Sequence, residues 1–394
     1  MKKVLATVLA LVMALALCSV SWADEGVTTA EALNTAVGAG GEVKLGADIS
    51  ATITIPAGKT VTLNLNGKTL TGSIVNKGNL TVTGTGSVVA TDAGTAAVAN
   101  FPDGTVTLSG GTYESANWYV IKNMGEMYIN GPVNVQKPQD STDTSSLIDN
   151  GWYGSTDTVA NERVQAQANK AKLVISNGNF NGKSGAKSCS VVKNDDYGVL
   201  EISGGTFDST ANTGTDNATT LLNWNIATIS GGTFKGMYPI SNGAYTGEAD
   251  KGQITITGGE FIGTSTIFGS GQGGNAMGSV TVSGGTFTAP ALGAVYDNVD
   301  GGYTLTVSGG TFKDATGAKV DVSDYLASGK QQNADGSVST PSSGGYYYYQ
   351  PTTDTKTTDT KGSPKTFDAG IALYVGMALT SAAGVAFVGK KRED

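Results

Sequence analysis

Nine times along the chain, two apolar residues flank one polar residue and a Gly-rich turn follows. The clearest copies are Leu200-Glu201-Ile202-Ser203-Gly204-Gly205-Thr206-Phe207 and Leu305-Thr306-Val307-Ser308-Gly309-Gly310-Thr311-Phe312. The first apolar residues of the copies are Leu80, Val106, Met127, Leu173, Leu200, Ala227, Ile254, Val280 and Leu305, at intervals of 26, 21, 46, 27, 27, 27, 26 and 25 residues. Period-two alternation with β-branched residues is a strand signal. A recurrence of this length implies a solenoid, in which each unit buries its apolar face only by stacking on its neighbours.

A second apolar stretch precedes most copies and ends in Asn: Ile74-Val75-Asn76, Ala97-Val98-Ala99-Asn100, Val120-Ile121-Lys122-Asn123, Leu147-Ile148-Asp149-Asn150, Val191-Val192-Lys193-Asn194 and Leu221-Leu222-Asn223. One coil therefore reads as short strand, Asn corner, variable loop, alternating strand, Gly-Gly corner and Thr-Phe. Leu200 and Ile202 point inward and Glu201 outward. Gly204 and Gly205 turn the chain where a Cβ would clash or φ is positive. Phe207, Phe234, Phe261, Phe287 and Phe312 fall in one aromatic column, and the corner Asn residues form an amide ladder. The expected fold is all-β, a parallel β-helix, right-handed because parallel crossovers almost always are. Nine coils at the β spacing give a core about 40–45 Å long.

The ends of the repeat depart from the pattern. Thr28 to Val37 reads as a short amphipathic capping helix with Thr28 at its N-cap, followed by irregular first coils over Val43-Lys44-Leu45, Ile53-Thr54-Ile55 and Val61-Thr62-Leu63-Asn64-Leu65. Residues 24–75 form this N-terminal part, 76–319 the repeat, and 320–338 a C-terminal cap with one helical turn and a hairpin near Asp335-Gly336. The 46-residue interval carries an insertion of about 137–170, and insertions on one coil map to one face. It contains Trp152 and Tyr153, and the coil before it contributes Trp118 and Tyr119. These four are either a glycan-stacking platform or local packing.

The termini set the expected compartment. Lys2-Lys3, an apolar run to Leu17 and Ser21-Trp22-Ala23 form a secretory signal peptide of residues 1–23, cut between Ala23 and Asp24. Residues 339–362 are a polar linker, 369–389 an uncharged apolar stretch long enough to span a bilayer as a helix, and 390–394 a basic tail expected in the cytoplasm. The repeat is thus expected on the outer cell surface. The run Tyr346 to Tyr349 in the linker has no assigned role.

Composition narrows the chemistry. The chain has 394 residues, 57 of them Gly, 15% charged residues, a formal net charge of −8 and no His. That balance excludes a basic nucleic-acid-binding face and removes the commonest general base and zinc ligand. Cys18 lies in the leader, so Cys189 alone remains after processing and no intramolecular disulfide is available. Asp195-Asp196 and the group Asp297, Asn298 and Asp300 sit at coil corners. Paired carboxylates there can bind calcium or serve as acid and base; solvated turn residues are the bland reading.

The coil pattern, with Leu65-Asn66-Gly67-Lys68-Thr69-Leu70 and the repeated Gly-Gly-Thr-Phe, resembles pectin-lyase-like right-handed β-helix proteins, above all repetitive surface proteins of Firmicutes, over residues of about 40–320. Segment 363–368, with Ser363, Pro364, Lys365, Thr366 and Phe367 before the apolar stretch, resembles the LPxTG-type cell-wall sorting signal of Gram-positive bacteria. That resemblance implies sortase as a partner. Pro364 and Thr366 match the motif, Phe367 replaces its Gly and Ser363 its first residue, so wall anchoring and a plain membrane anchor both stand.

Pectate lyases of this fold use an Asp cluster holding calcium and an Arg base. Here the one Arg outside the tail is Arg163, in the insertion. The leading expectation is a non-catalytic module with no cofactor that binds host or microbial glycans or surface proteins. The alternatives are a calcium-dependent polysaccharide lyase, with Lys122 or Lys193 as base near Asp195, and a passive surface spacer.

Overall fold

A computed structural model describes residues 25–117, 119–138, 141, 145–151, 171–182, 190–211, 219–243, 252–269, 278–293 and 304–342. Its strands, numbered β1–β34 in chain order, form three parallel sheets and one small hairpin. The first sheet has eleven strands, from β1 (Gly41–Lys44) to β31 (Thr304–Val307); the second has eleven, from β2 (Ile49–Ser50) to β32 (Thr311–Lys313); the third has ten, from β3 (Ile53–Ile55) to β30 (Ala291–Gly293). Every third strand pairs with the next in its sheet, so the chain winds as a solenoid with a three-sided cross-section, as a parallel β-helix does.

The nine repeat positions fall on one column. Leu80, Val106, Met127, Leu173, Leu200, Ala227, Ile254, Val280 and Leu305 are register partners in successive strands of the first sheet, and all are buried. Val61 precedes Leu80 in the same column.

In the second sheet the aromatic column is one ring longer than the Gly-Gly-Thr-Phe motif implied. Phe180, Phe207, Phe234, Phe261, Phe287 and Phe312 stack with centroids 4.5–5.0 Å apart and planes within 3–10° of parallel. The solenoid repeat sets that distance, because register partners stand one strand spacing apart. Tyr113 occupies the same column nearer the N-terminus, its buried hydroxyl donating to the Gly110 carbonyl at 2.9 Å.

The two corner glycines have separate duties. A Cβ on Gly204, Gly231, Gly258, Gly284 or Gly309 would collide with the backbone carbonyl of the coil before it. The glycine that follows each has φ between +94° and +108° in Gly205, Gly232, Gly259, Gly285 and Gly310, a region that other L-residues rarely adopt.

At the third sheet the Asn ladder runs through Asn76, Asn100, Asn123, Asn150, Asn194, Asn223 and Asn242, all fully buried. Each Nδ2 donates to the next Oδ1 at 2.7–2.8 Å and also to backbone carbonyls, such as Gly104 O for Asn100 and Gly198 O for Asn194. An inward-facing amide at a corner has both a donor and an acceptor to satisfy, and only another amide one coil away satisfies both along the axis.

Helix α1 (Ala30–Ala39) packs on the first coil with Leu33 and Val37 buried. Its N-cap is Thr29, whose hydroxyl accepts from Ala32 N–H at 3.2 Å, not Thr28; the helix starts one residue later because Thr29 holds the extended φ/ψ that an N-cap needs. At the other end a 3-10 turn (Ser323–Tyr325) and the antiparallel pair β33 (Gln331–Gln332) and β34 (Val338–Ser339) follow the last coil, bridging it at Val307–Leu326 and Thr311–Ser337. No helix among the described residues is long and apolar enough to cross a membrane. Segments 1–23 and 369–389 and the Tyr346 to Tyr349 run lie outside the described residues.

Candidate functional site

The long connections all enter or leave the third sheet. They include Asn150 to Lys172, Asn181 to Val192, Asp208 to Thr219, Asn242 to Gln253 and Gly293 to Thr304. The turn between the first and second sheets is short throughout, as in Ser203-Gly204-Gly205. Variation is thus confined to one side of the solenoid.

There the outward column of the third sheet reads Val75, Ala99, Lys122, Asp149, Lys193, Leu222 and Ser241 in consecutive rungs. These are the residues immediately before the ladder Asn, so strand alternation points them away from the core. Yet Asp149, Lys193, Leu222 and Ser241 are buried. Two opposite faces of the same strands are therefore shut off from water, and one of them carries charge.

The charged set is compact. Lys122 Nζ contacts Asp149 Oδ2 directly, and Lys193 Nζ lies 2.7 Å from Asp195 Oδ2. Asp195 belongs to the tight turn after the ladder residue: Gly198 N–H donates to its carbonyl, its own N–H donates to Asn150 O, and Oδ1 accepts from Asp196 N–H at 2.8 Å. Tyr197 takes φ +62° to close that turn. Aromatic rings flank the ammonium groups, with Trp224 3.9 Å from Lys193 Nζ and Tyr119 5.3 Å from Lys122 Nζ. The formal charge of the four side chains cancels, as buried charges require.

Burial pushes the Asp195 carboxyl up to about 7, against the pull of the Lys193 ammonium and with added repulsion from Asp149. Asp149 Oδ1 has no hydrogen-bond partner. A buried carboxylate oxygen without a donor is costly.

Asp195 and Asp196 are not solvated turn residues: Asp195 is fully buried and Asp196 is 7% exposed. The turn folds back on the Asn150 strand rather than outward, which encloses both side chains. Asp149 and Asp195 each face an ammonium group, whereas a divalent cation takes oxygen ligands. Among the described residues no group of three or more acidic or thiol side chains is arranged to hold a metal ion. Tyr119 is half-buried with Lys122 over its ring. Trp118, Trp152, Tyr153, Asp297, Asp300, Arg163, Ala23, Asp24 and Ser363 through Phe367 lie outside the described residues.

A second feature is open. On the outer face of the second sheet Asn134, Asn179 and Thr206 are register partners, as are Gln136, Asn181 and Asp208. These six polar side chains line a concavity of about 280 Å³ above Val135 and Phe180. Gln136 Nε2 donates to Glu114 Oε2 at 2.9 Å, extending the polar surface one rung further. No family model, curated protein or solved structure matches the chain.

Proposed function

We propose that the protein is a non-catalytic surface module: a rod, wound right-handed, that displays a polar face to glycans of host or microbial origin. The observation that carries this reading is the two-by-three grid of amide, hydroxyl and carboxylate side chains on the second sheet. Amides and hydroxyls both donate and accept, which matches the alternating hydroxyls of a neutral sugar, and the register repeats the grid at the spacing of successive strands. Many weak contacts along one rod, and many rods on one surface, give avidity without a deep pocket.

The lyase alternative has less support. Its two candidate bases are both engaged, Lys193 with the buried Asp195 at 2.7 Å and Lys122 in contact with the buried Asp149. Placement belongs to the same proposal: export through residues 1–23 and retention at the surface by 369–389, either as a plain membrane anchor or with processing by a sortase between Thr366 and Phe367. The test is retention of the purified chain on immobilised neutral and acidic glycans, comparing wild type with the triple variant Asn134→Ala, Asn179→Ala, Asn181→Ala. Loss of retention in the variant supports the reading. Equal retention sinks the second-sheet assignment, and no retention of either sinks glycan binding for the glycans tried.

A further inference from the structure

We propose that Lys122 and Asp149 are joined by an intramolecular isopeptide bond, formed within the folded solenoid with Asp195 as the group that moves the proton. Three observations on one spot lead there. Lys122 and Asp149 are register partners in adjacent parallel strands, β12 (Ile121–Asn123) and β15 (Ile148–Asn150), and Nζ is in direct contact with Oδ2. Asp149 is fully buried with its other oxygen unpartnered, so a carboxylate is a poor final state for it. A second fully buried carboxyl group, Asp195, stands beside them: its N–H donates to the carbonyl of Asn150, the residue after Asp149, and its Oδ2 lies 2.7 Å from Nζ of Lys193, the register partner of Asp149.

The chemistry is a dehydration and needs no co-reactant. The Lys122 amine attacks Cγ of Asp149, a C–N bond forms, and one C–O bond breaks. The departing oxygen leaves as water, taking two hydrogens in all. Starting from ammonium and carboxylate, the products are one secondary amide and one water, with charge conserved. Asp195, a carboxyl that burial pushes toward its protonated form, gives a proton to the leaving oxygen and recovers one from the nitrogen. Its own state is unchanged at the end. Fixed geometry supplies the effective concentration that free amines and carboxylates lack in water. The amide replaces two buried charges with a neutral group, which removes their desolvation cost. Lys193, paired with Asp195 and seated on Trp224, orients the proton carrier rather than reacting. The bond would tie the coil before the insertion to the coil that interrupts it.

The test is a peptide map of the full chain, unfolded and digested with trypsin. Cleavage is expected to fail at Lys122, because an acylated lysine is not a trypsin site, and Lys137 precedes Pro138. Residues 78–163 should therefore appear as one peptide, lighter than its sequence by one water, with fragment ions missing between 122 and 149. Lys122→Arg keeps the charge and cannot form the amide, so its 123–163 peptide should carry the full sequence mass. Asp195→Asn is expected to leave Lys122 open to trypsin, and Asp195→Glu to restore the cross-link; a purely structural role for Asp195 would not be rescued in that way. Free Lys122 in the folded wild-type chain overturns the proposal. Complete cross-linking in Asp195→Asn overturns the part assigned to Asp195.

Discussion

Replacing Asn194 with Ala removes the middle of the amide ladder, and the structure sets the cost. Asn194 Nδ2 donates to Asn223 Oδ1 at 2.8 Å, to Gly198 O at 3.1 Å and to Ile226 O at 3.0 Å, and its Oδ1 accepts from Asn150 Nδ2 at 2.8 Å. Gly198 O keeps another donor in Asn225 Nδ2, and Asn150 Nδ2 keeps Val199 O, so those groups are not stranded. Asn223 Oδ1 loses its ladder donor. Two inter-amide bonds at a net of about 1 kcal/mol each, plus a buried acceptor left short at about 1–3 kcal/mol, give a loss of about 3–5 kcal/mol. Asn76 ends the ladder and makes one inter-amide bond, as donor to Asn100 Oδ1, so Asn76→Ala should cost about 1 kcal/mol less, about 2–4 kcal/mol. The assay is urea unfolding followed by far-ultraviolet circular dichroism. Because coils interact only with their neighbours, the Asn194 variant should also broaden or split the transition. A midpoint for Asn194→Ala no lower than that of Thr228→Ala, an outward threonine on the first sheet, would refute the claim that the ladder holds the corners.

Other outcomes follow from the same columns. Phe234 stacks on Phe207 at 4.7 Å and on Phe261 at 5.0 Å, so Phe234→Ala should cost about 3–5 kcal/mol from the cavity, with Phe312→Ala lower because it has one ring neighbour; urea midpoints compare the two. Gly232→Ala forces an alanine to φ +94° and is expected to lose about 1–2 kcal/mol, whereas Gly231→Ala drives a Cβ into the Ser203 carbonyl and should lose more, on the same assay. Asp195 binds its proton more tightly in the folded chain than in the unfolded one, where the value is about 3.9. Its contribution to stability is therefore complete below about pH 4 and disappears as pH rises through about 7, so urea midpoints of wild type should fall over that window relative to those of Asp195→Asn.

The solenoid was legible because every coil repeats one requirement. The apolar pair, the Asn corner and the Gly-Gly turn are each set by contacts to an identical neighbour, so spacing alone places them. Phe180 escaped because its corner reads Asn177-Gly178-Asn179 rather than Gly-Gly-Thr, although it stands seven residues after Leu173 just as Phe207 does after Leu200. Asn242 escaped for a similar reason: Ile240-Ser241-Asn242 lacks the second apolar residue. The ionic cluster was harder. Lys122, Asp149 and Lys193 are separated by loops of unequal length, and they become neighbours only when counted back from Asn123, Asn150 and Asn194. Trp224 and Asp149 carry that signal only through their places beside Asn223 and Asn150. Burial of Asp195 was not legible at all, since an Asp-Asp corner in isolation is the composition of an exposed turn.

The most direct test of the central claim exposes the purified chain to polyuronates, mucin glycans and cell-wall polymers, with and without calcium, and reads both retention and product masses. Retention is expected on at least one polymer, unchanged by calcium, abolished by the Asn134, Asn179 and Asn181 substitutions, and with every polymer recovered intact. New low-mass oligosaccharides would contradict it.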